Sequence, residues 1–370
     1  MPIPDFSQRS MRGKSGIYHI MTHRSLILAL FALLGFHQTM QAQTLPRAIV
    51  KGRVLDDSTR ASIPLANVFI SNSTIGTATN ADGMFELKGV PLGSQQVVAS
   101  IVGYQPGVTA IQFDDTTARS VEIRLKSRPV QMPAVDIEAD DPVEWRKNLE
   151  SFLKEFIGSS TNARMCKLLN PEVLDFFEES PHLVATAREP LEIENKALGY
   201  HVRCVLIHFA FAKETMQFIV LTSYSNLTPR DKAEEDEWNS RRLSTFRGSQ
   251  RHFLVSLLRK STKGEGFEVN RITKNMARRA YARPIGFDVD PDTLMKPGEF
   301  AHQHLLSFPD LLQVIYYTNR LPQVSLIEMN RPRLVVYPNG HLEDPLGIWT
   351  YGYWSSQRFA DMLPIDYEPK

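Results

Sequence analysis

"STIGTATNADGMFELKGVPLGS" occupies residues 73–94. A polar segment carrying Thr77 and Thr79 runs into Asn80, Asp82 and Gly83. An alternating segment then leads out, with Phe85 and Leu87 set against Glu86 and Lys88. Asn and Asp side chains bond their own backbone in turns, and Gly supplies positive φ. The spacing predicts a β-hairpin, with Gly89 and Gly93 bracketing Pro91 at the next corner. Asn80 and Asp82 could also be read as cation ligands. A calcium site needs about six to eight oxygens, so the turn is the reading taken.

Short strand-like runs lie on both sides of this stretch. They are "AIVKGRVLD" (48–56), "PLANVFISNS" (64–73), "QQVVASIVGY" (95–104), "GVTAIQF" (107–113) and "SVEIRL" (120–125). Short alternating runs separated by turn signals predict an all-β sandwich over residues 46–126. Several of these residues also stand where a known family has them: Gly52 and Val54, Pro64, Leu65, Asn67 and Val68, Gly76 to Phe85, Val90 to Gly93, then Gly103 and Tyr104. On them, residues 48–126 resemble the carboxypeptidase-regulatory-like domain. The resemblance implies a transthyretin-like β-sandwich and no peptidase activity of its own.

Three prolines and a cluster of acids in "SRPVQMPAVDIEADDP" (127–142) read as a linker over 127–141, with an edge strand at "AVDIEA". The period then changes. Trp145, Leu149, Phe152, Leu153 and Phe156 fall on one helical face, with Asp141 and Glu144 as capping residues and Gly158 at the exit. Strand patterns return over 172–225, helical ones over 230–262 with Gly248 interrupting, and strand patterns again over 312–356. That order predicts an α+β domain over 142–370. Stretches such as "PLEIENKALGYHV", "FRGSQRHFLVSLL" and "GYWSSQRFADMLPIDYEP" make this half resemble the C-terminal region of exported carboxypeptidase-regulatory-like proteins of Gram-negative envelopes. No defined activity comes with that resemblance.

Export is also legible in the residues. "MTHRSLILALFALLGFHQTMQAQ" (21–43) joins a basic start to the apolar run Leu26 to Phe36 and a small-residue site at Ala42, as a secretory signal does. The run is shorter than the roughly 20 residues that span a bilayer. The reading starts translation at Met21 and cleaves after Ala42. Without residues 1–42 the chain has four fewer Lys/Arg and one fewer Asp, taking the net charge from +1 to −2. Neither value selects nucleic acid as a partner. Cys166 and Cys204 are the only cysteines. They read as buried thiols, with a disulfide the alternative in an oxidising compartment.

Known catalytic patterns are missing from the sequence. A catalytic zinc site needs three ligands and an open position. His341 is followed three places on by Asp344 and His252 by Val255, and His302 and His304 are followed at that spacing by Leu305 and Ser307, not by a carboxylate. There is no G-x-S-x-G elbow and no phosphate loop. His201 lies close to Cys204 in sequence, but Cys204 sits in an apolar strand and reads as a buried thiol. No cofactor is expected.

Two features point to binding. Between Arg241 and Arg283 there are 12 Lys/Arg and two acids, directly after the acidic run "DKAEEDE" (231–237). Arg241, Arg242, Arg247 and Arg251 are candidate contacts for an acidic glycan, for lipid head groups through peripheral membrane association, or for another protein, although solvated helix faces give the same pattern and are the reading taken. In "GIWTYGYWSS" (347–356), Trp349, Tyr351 and Tyr353 share one strand face, with Trp354 opposite. Such rows can stack on sugars and also fill β-cores, and core filling is the reading taken. The expectation is a non-catalytic exported protein of the periplasm or outer membrane, in which a β-sandwich spacer accompanies a protein- or glycan-binding half. A peptidase-like hydrolase with its site in 142–370, or an accessory subunit of an outer-membrane transporter, are the alternatives.

Overall fold

Alternation along residues 47–125 produces seven strands: β1 (Arg47–Asp56), β2 (Asn67–Ile70), β3 (Gly76–Ala78), β4 (Met84–Pro91), β5 (Gly93–Ser100), β6 (Gly107–Phe113) and β7 (Arg119–Leu125). The computed structural model describes residues 46–128, 142–213, 215–279, 285–319 and 321–369. Residues 1–20, the leader at 21–42, the edge strand at "AVDIEA" and the cap at Asp141 lie outside the described residues. The seven strands form two sheets, β4-β1-β7 and β3-β2-β5-β6. Val50, Val54, Val68, Ile70, Leu87, Val97 and Ile123 fill the space between them. β1 runs antiparallel to β4 and parallel to β7. At Gly52 the Phe85 ring crosses the strand so closely that an added Cβ would meet it at 2.5 Å.

The turn at 80–83 forms as expected. Asn80 Oδ1 accepts from the N–H groups of Asp82 (3.0 Å) and Met84 (2.8 Å), and Gly83 takes φ +71°. The flanking strands do not pair with each other, however. β3 pairs with β2, and β4 pairs with β1 in the opposite sheet. The expected hairpin is therefore a corner that carries the chain from one sheet to the other. Thr79 makes the crossing. It is 2% exposed, and its hydroxyl donates to Ile63 O (2.7 Å) and accepts from Ala66 N–H (2.9 Å), so the side chain turns into the sandwich.

The second half begins with α1 (Pro142–Phe156), followed by β8 (Cys166–Leu168), β9 (Leu174–Glu179), β10 (His182–Ala187), β11 (Leu191–Asn195), β12 (Tyr200–Ala212) and β13 (Thr215–Asn226). The strands form a six-stranded sheet in the order β8-β11-β12-β10-β9, with β13 also on β12. The helical face seen in the sequence is the face that packs. Phe152 and Phe156 are fully buried, with Trp145, Leu149 and Leu153 beside them. Phe152 meets Phe209 edge-on at 4.8 Å, and Phe156 meets Phe218 at 5.3 Å.

Then come α2 (Lys232–Phe246), α3 (Gln250–Leu258), β14 (Phe267–Ile272), β15 (Phe287–Asp288), β16 (Met295–Pro297), β17 (His304–Leu306), β18 (Leu311–Tyr316), β19 (Gln323–Met329), β20 (Leu334–Val336), β21 (Ile348–Gly352) and α4 (Tyr353–Ser356). Gly248 separates α2 from α3 at φ +75°. β15-β14-β18-β19-β21 form one sheet and β16-β17-β20 a smaller one. Phe253, Leu254 and Leu257 of α3 pack with both.

The sandwich is seated on both of these bodies. Phe69 of β2 and Val98 of β5 face away from its core and pack on Val205 and Leu221 of the six-stranded sheet. Burying such a side chain stabilises by about 1.5–3 kcal/mol. Beside them Asn72 N–H donates to Thr222 O (2.7 Å) and Tyr224 N–H to Ser73 O (2.9 Å). On the other side Gly93 lies flat against the Tyr337 ring, where a Cβ would meet it at 2.6 Å. That ring belongs to a column, Phe300–His302–Tyr337–His341, with centroids 5.9, 6.1 and 6.4 Å apart.

The tail at 357–369 crosses every layer. Phe359 stacks on Phe156 (4.8 Å), and Ala360 N–H donates to Ile157 O (3.2 Å). The Asp361 carboxylate accepts from Ser160 Oγ and Asn162 Nδ2, both at 2.9 Å. Ile365 enters the sandwich core. Asp366 accepts from Thr74 N–H (2.9 Å), and Glu368 pairs with Arg47 (2.6 Å).

This packing carries a pH dependence. Burial, with the Arg251 charge nearby, lowers the His341 pKa to about 4, and burial lowers His252 and His304 as well. The folded state therefore favours neutral rings. The unfolded chain takes up protons first as the pH falls below about 6.5, so stability is lost between there and about pH 4. Chemical denaturation at stepped pH should show that loss, with His341 contributing about 3 kcal/mol at most. His341→Phe should flatten part of this acid limb.

Candidate functional site

The arginine run is largely matched where it stands. Asp231 caps α2 by accepting from Glu234 N–H (2.9 Å). Along the helix Arg230 pairs with Glu234 (3.0 Å), Lys232 with Glu235 (3.0 Å) and Asp236 (3.1 Å), and Arg241 with Glu237 (2.8 Å). Arg242 turns back onto the six-stranded sheet. Its Nε donates to Leu198 O (2.7 Å), Nη2 reaches Gly199 O and Asn226 Oδ1 (both 3.2 Å), and the guanidinium lies 4.1 Å above the Tyr200 ring. Arg247, just beyond α2, is exposed.

Arg251 is the clearest departure from a surface contact. Its Nε donates to Asn339 O (2.8 Å), Nη1 to Pro364 O (2.7 Å), and Nη2 to Ile365 O (2.8 Å) and Tyr367 O (2.7 Å). Burial lowers its pKa to about 10, which leaves it charged at neutral pH. The expected role in binding a partner is corrected here. The carbonyls of an irregular tail need donors, and a guanidinium presents five in one plane. Arg242 does the same for the bend at 198–199.

The aromatic row is also divided. Trp349 and Tyr351 lie on β21 and are 41% and 37% exposed, so they do not fill the core. Gly352 at φ +75° then ends the strand, and Tyr353 opens α4. Tyr353 leaves the row and is half-buried against the α3 core. Trp354 is buried, with Nε1 donating to Gly248 O (2.7 Å). One helical turn thus separates three residues that share a strand face on sequence spacing.

Both cysteines are free. Alternation along β12 puts Cys204 on the face packed under α1 and His201 on the opposite face, so the pair does not meet. His201 Nε2 instead lies 3.3 Å from Glu192. Burial raises the Cys166 pKa to about 12 and that of Cys204 further. Sequence spacing missed one pairing altogether. His302, 7% exposed, lies 3.2 Å from Gln112 Nε2 and 3.8 Å from Asp114, both contributed by the sandwich. Among the described residues no three His, Cys, Asp or Glu side chains converge as a metal would require.

Residues 50–137 match the family model described as the CarboxypepD_reg-like domain. The chain carries this domain. No curated protein matches the chain. Among solved structures, the group B streptococcus pilus 2b backbone protein aligns at 16% identity over 22% of this chain and 42% of its own, with a TM-score of 0.19. The 3-chlorocatechol 1,2-dioxygenase of Rhodococcus opacus 1CP aligns at 11% identity over 24% of this chain and 62% of its own, at 0.20. The shaft pilin SpaA of Lactobacillus rhamnosus GG aligns at 15% identity over 23% and 47%, at 0.18. The alignments therefore cover less than two thirds of each of these chains, and overlaps this small say nothing of activity.

On the CarboxypepD_reg-like domain, an open cleft of about 550 Å³ is lined by Thr74, Gly76, Thr77, Glu86 and Lys88. A second, of about 450 Å³, lies beside β14 and is lined by Lys263, Glu268, Asn270, Asp288 and Tyr317. Neither includes any of the seven residues singled out in the sequence. Among the described residues no helix is long and apolar enough to cross a membrane.

Two outcomes follow from these contacts. Arg251→Ala removes a donor from four carbonyls, of which Pro364 O keeps Tyr367 N–H and Ile365 O keeps Asn339 Nδ2, and should cost about 3 kcal/mol in denaturant unfolding, whereas Arg241→Ala, which breaks a surface pair, should cost about 0.5 kcal/mol or less. Iodoacetamide at pH 8 should leave Cys204 unmodified in the native protein and alkylate it once the chain is unfolded, as read by intact mass.

Proposed function

We propose that this is an exported, non-catalytic envelope protein in which the CarboxypepD_reg-like domain, with a transthyretin-like strand arrangement, is a fixed scaffold for a binding half at 142–369. The observation that carries this reading is the seam. Phe69 and Val98 of the domain pack on Val205 and Leu221, and Ile365 from the far end of the chain lies in the domain's own core. A separately tethered domain would keep its outer face polar and its core to itself. A domain joined in this way sets the pose of the residues beside it. The leader pattern at 21–42 supports delivery to the periplasm or outer membrane.

Fractionation of the native host with intact-mass analysis tests the export part. A chain beginning at Gln43 in the periplasm or outer membrane is expected, and a cytoplasmic chain retaining Met21 would overturn it. Incubation of the full chain with envelope extracts should enrich a specific protein or glycan component, and enrichment of nothing over a bare-resin control would overturn the binding part.

A further inference from the structure

β21 is an edge strand, and its two exposed aromatics stand two residues apart on one face. Alternate residues of a strand are spaced by about 6.7 Å, so the two rings stand side by side as one apolar strip. Their cross-strand partners on β19 are Glu328, opposite Trp349, and Leu326, opposite Tyr351. Leu326 is fully buried, in a small core with Met276 packed on it, which gives the strand pair a rigid base. Glu328 holds Lys274 at 2.5 Å and accepts from the Tyr351 hydroxyl at 3.3 Å.

The rim beside the rings therefore offers a carboxylate, an ammonium and a phenol, and the two charges cancel. A matching ligand is apolar on its faces, polar at its edges and uncharged. Sugar rings have that distribution: their C–H faces lie on aromatic rings, and their hydroxyls point outward to donors and acceptors. Trp and Tyr are also the side chains most often dominant in binding surfaces. An acidic glycan would place unmatched charge beside Glu328. A peptide adding to the edge of β21 would engage backbone and make little use of the ring faces.

We propose that Trp349 and Tyr351 form a two-ring platform for an uncharged glycan chain, with Glu328 and Lys274 bonding its hydroxyls. This rests on the envelope-binding reading and names its ligand class.

The full chain recovered from the host would be titrated by calorimetry and tryptophan emission with cellohexaose, chitohexaose, dextran and, as an acidic control, oligogalacturonate. Saturable binding of at least one neutral glycan is expected. Trp349→Ala and Tyr351→Ala should each weaken it about tenfold or more, and Tyr351→Phe, which keeps the ring, should stay within about threefold of the parent. Matched thermal melts show that the variants fold. Failure of every neutral glycan to bind, tighter binding of oligogalacturonate, or unchanged affinity in Trp349→Ala would each overturn the platform. So would displacement of bound glycan by an unrelated extended peptide. Envelope capture by an unmodified chain that binds none of the neutral glycans overturns the platform alone. Loss of capture by the unmodified chain overturns the broader reading.

Discussion

The Arg251 guanidinium is the constraint on which the assembly turns. A chain that crosses a surface in irregular conformation leaves carbonyls without ladder partners, and buried carbonyls must be matched. At residues 364–367 the tail runs where no strand of the described residues pairs with it. Arg251 answers from α3 with four bonds to Asn339, Pro364, Ile365 and Tyr367. A lysine would bring three donors from a single point, without the planar fork. Ile365 thereby reaches the sandwich core, and Asp366 and Glu368 meet Thr74 and Arg47. The contacts join residues 366–368 to β1 and the turn after β2.

That closure explains why the sandwich is not a free-standing module. Its outer face carries Phe69 and Val98, which would be poor surface residues in isolation. Its edge meets His302 through Gln112 and Asp114, and Gly93 admits the Tyr337 ring. The layers run from α1 through the six-stranded sheet to the two sheets of the sandwich, and the α3 body closes the side. On this framework Trp349 and Tyr351 of β21 stay exposed.

Much of the local structure was legible in the residues. The turn at Asn80–Gly83 is carried by short-range bonds that the residue types imply, and the α1 face from Trp145 to Phe156 follows from a 3.6-residue period. The candidate site was less legible. Arg241, Arg242, Arg247 and Arg251 look alike along the chain, yet one pairs with a neighbour one helical turn away, two bond backbone carbonyls, and one faces water. Cys204 and His201 are three residues apart, and the pleat sends them to opposite faces. Glycine at 352 broke the row that would have kept Tyr353 beside Tyr351.

By itself, the sequence determined the element types over 142–158, 172–225, 230–262 and 312–352, the sandwich family over 48–126 and the positions of its turns, because these depend on interactions within a few residues; it assigned none over 263–311, where β14 to β17 lie. Which strands pair was a different matter. β3 and β4 flank a turn yet belong to opposite sheets, since the inward bonds of Thr79 to Ile63 and Ala66 outweigh the nearness of the two segments in sequence. Tertiary structure alone also decided that Arg251 holds the tail rather than a partner. The carbonyls it serves lie 88 to 116 residues away, and no local pattern records a bond over that distance.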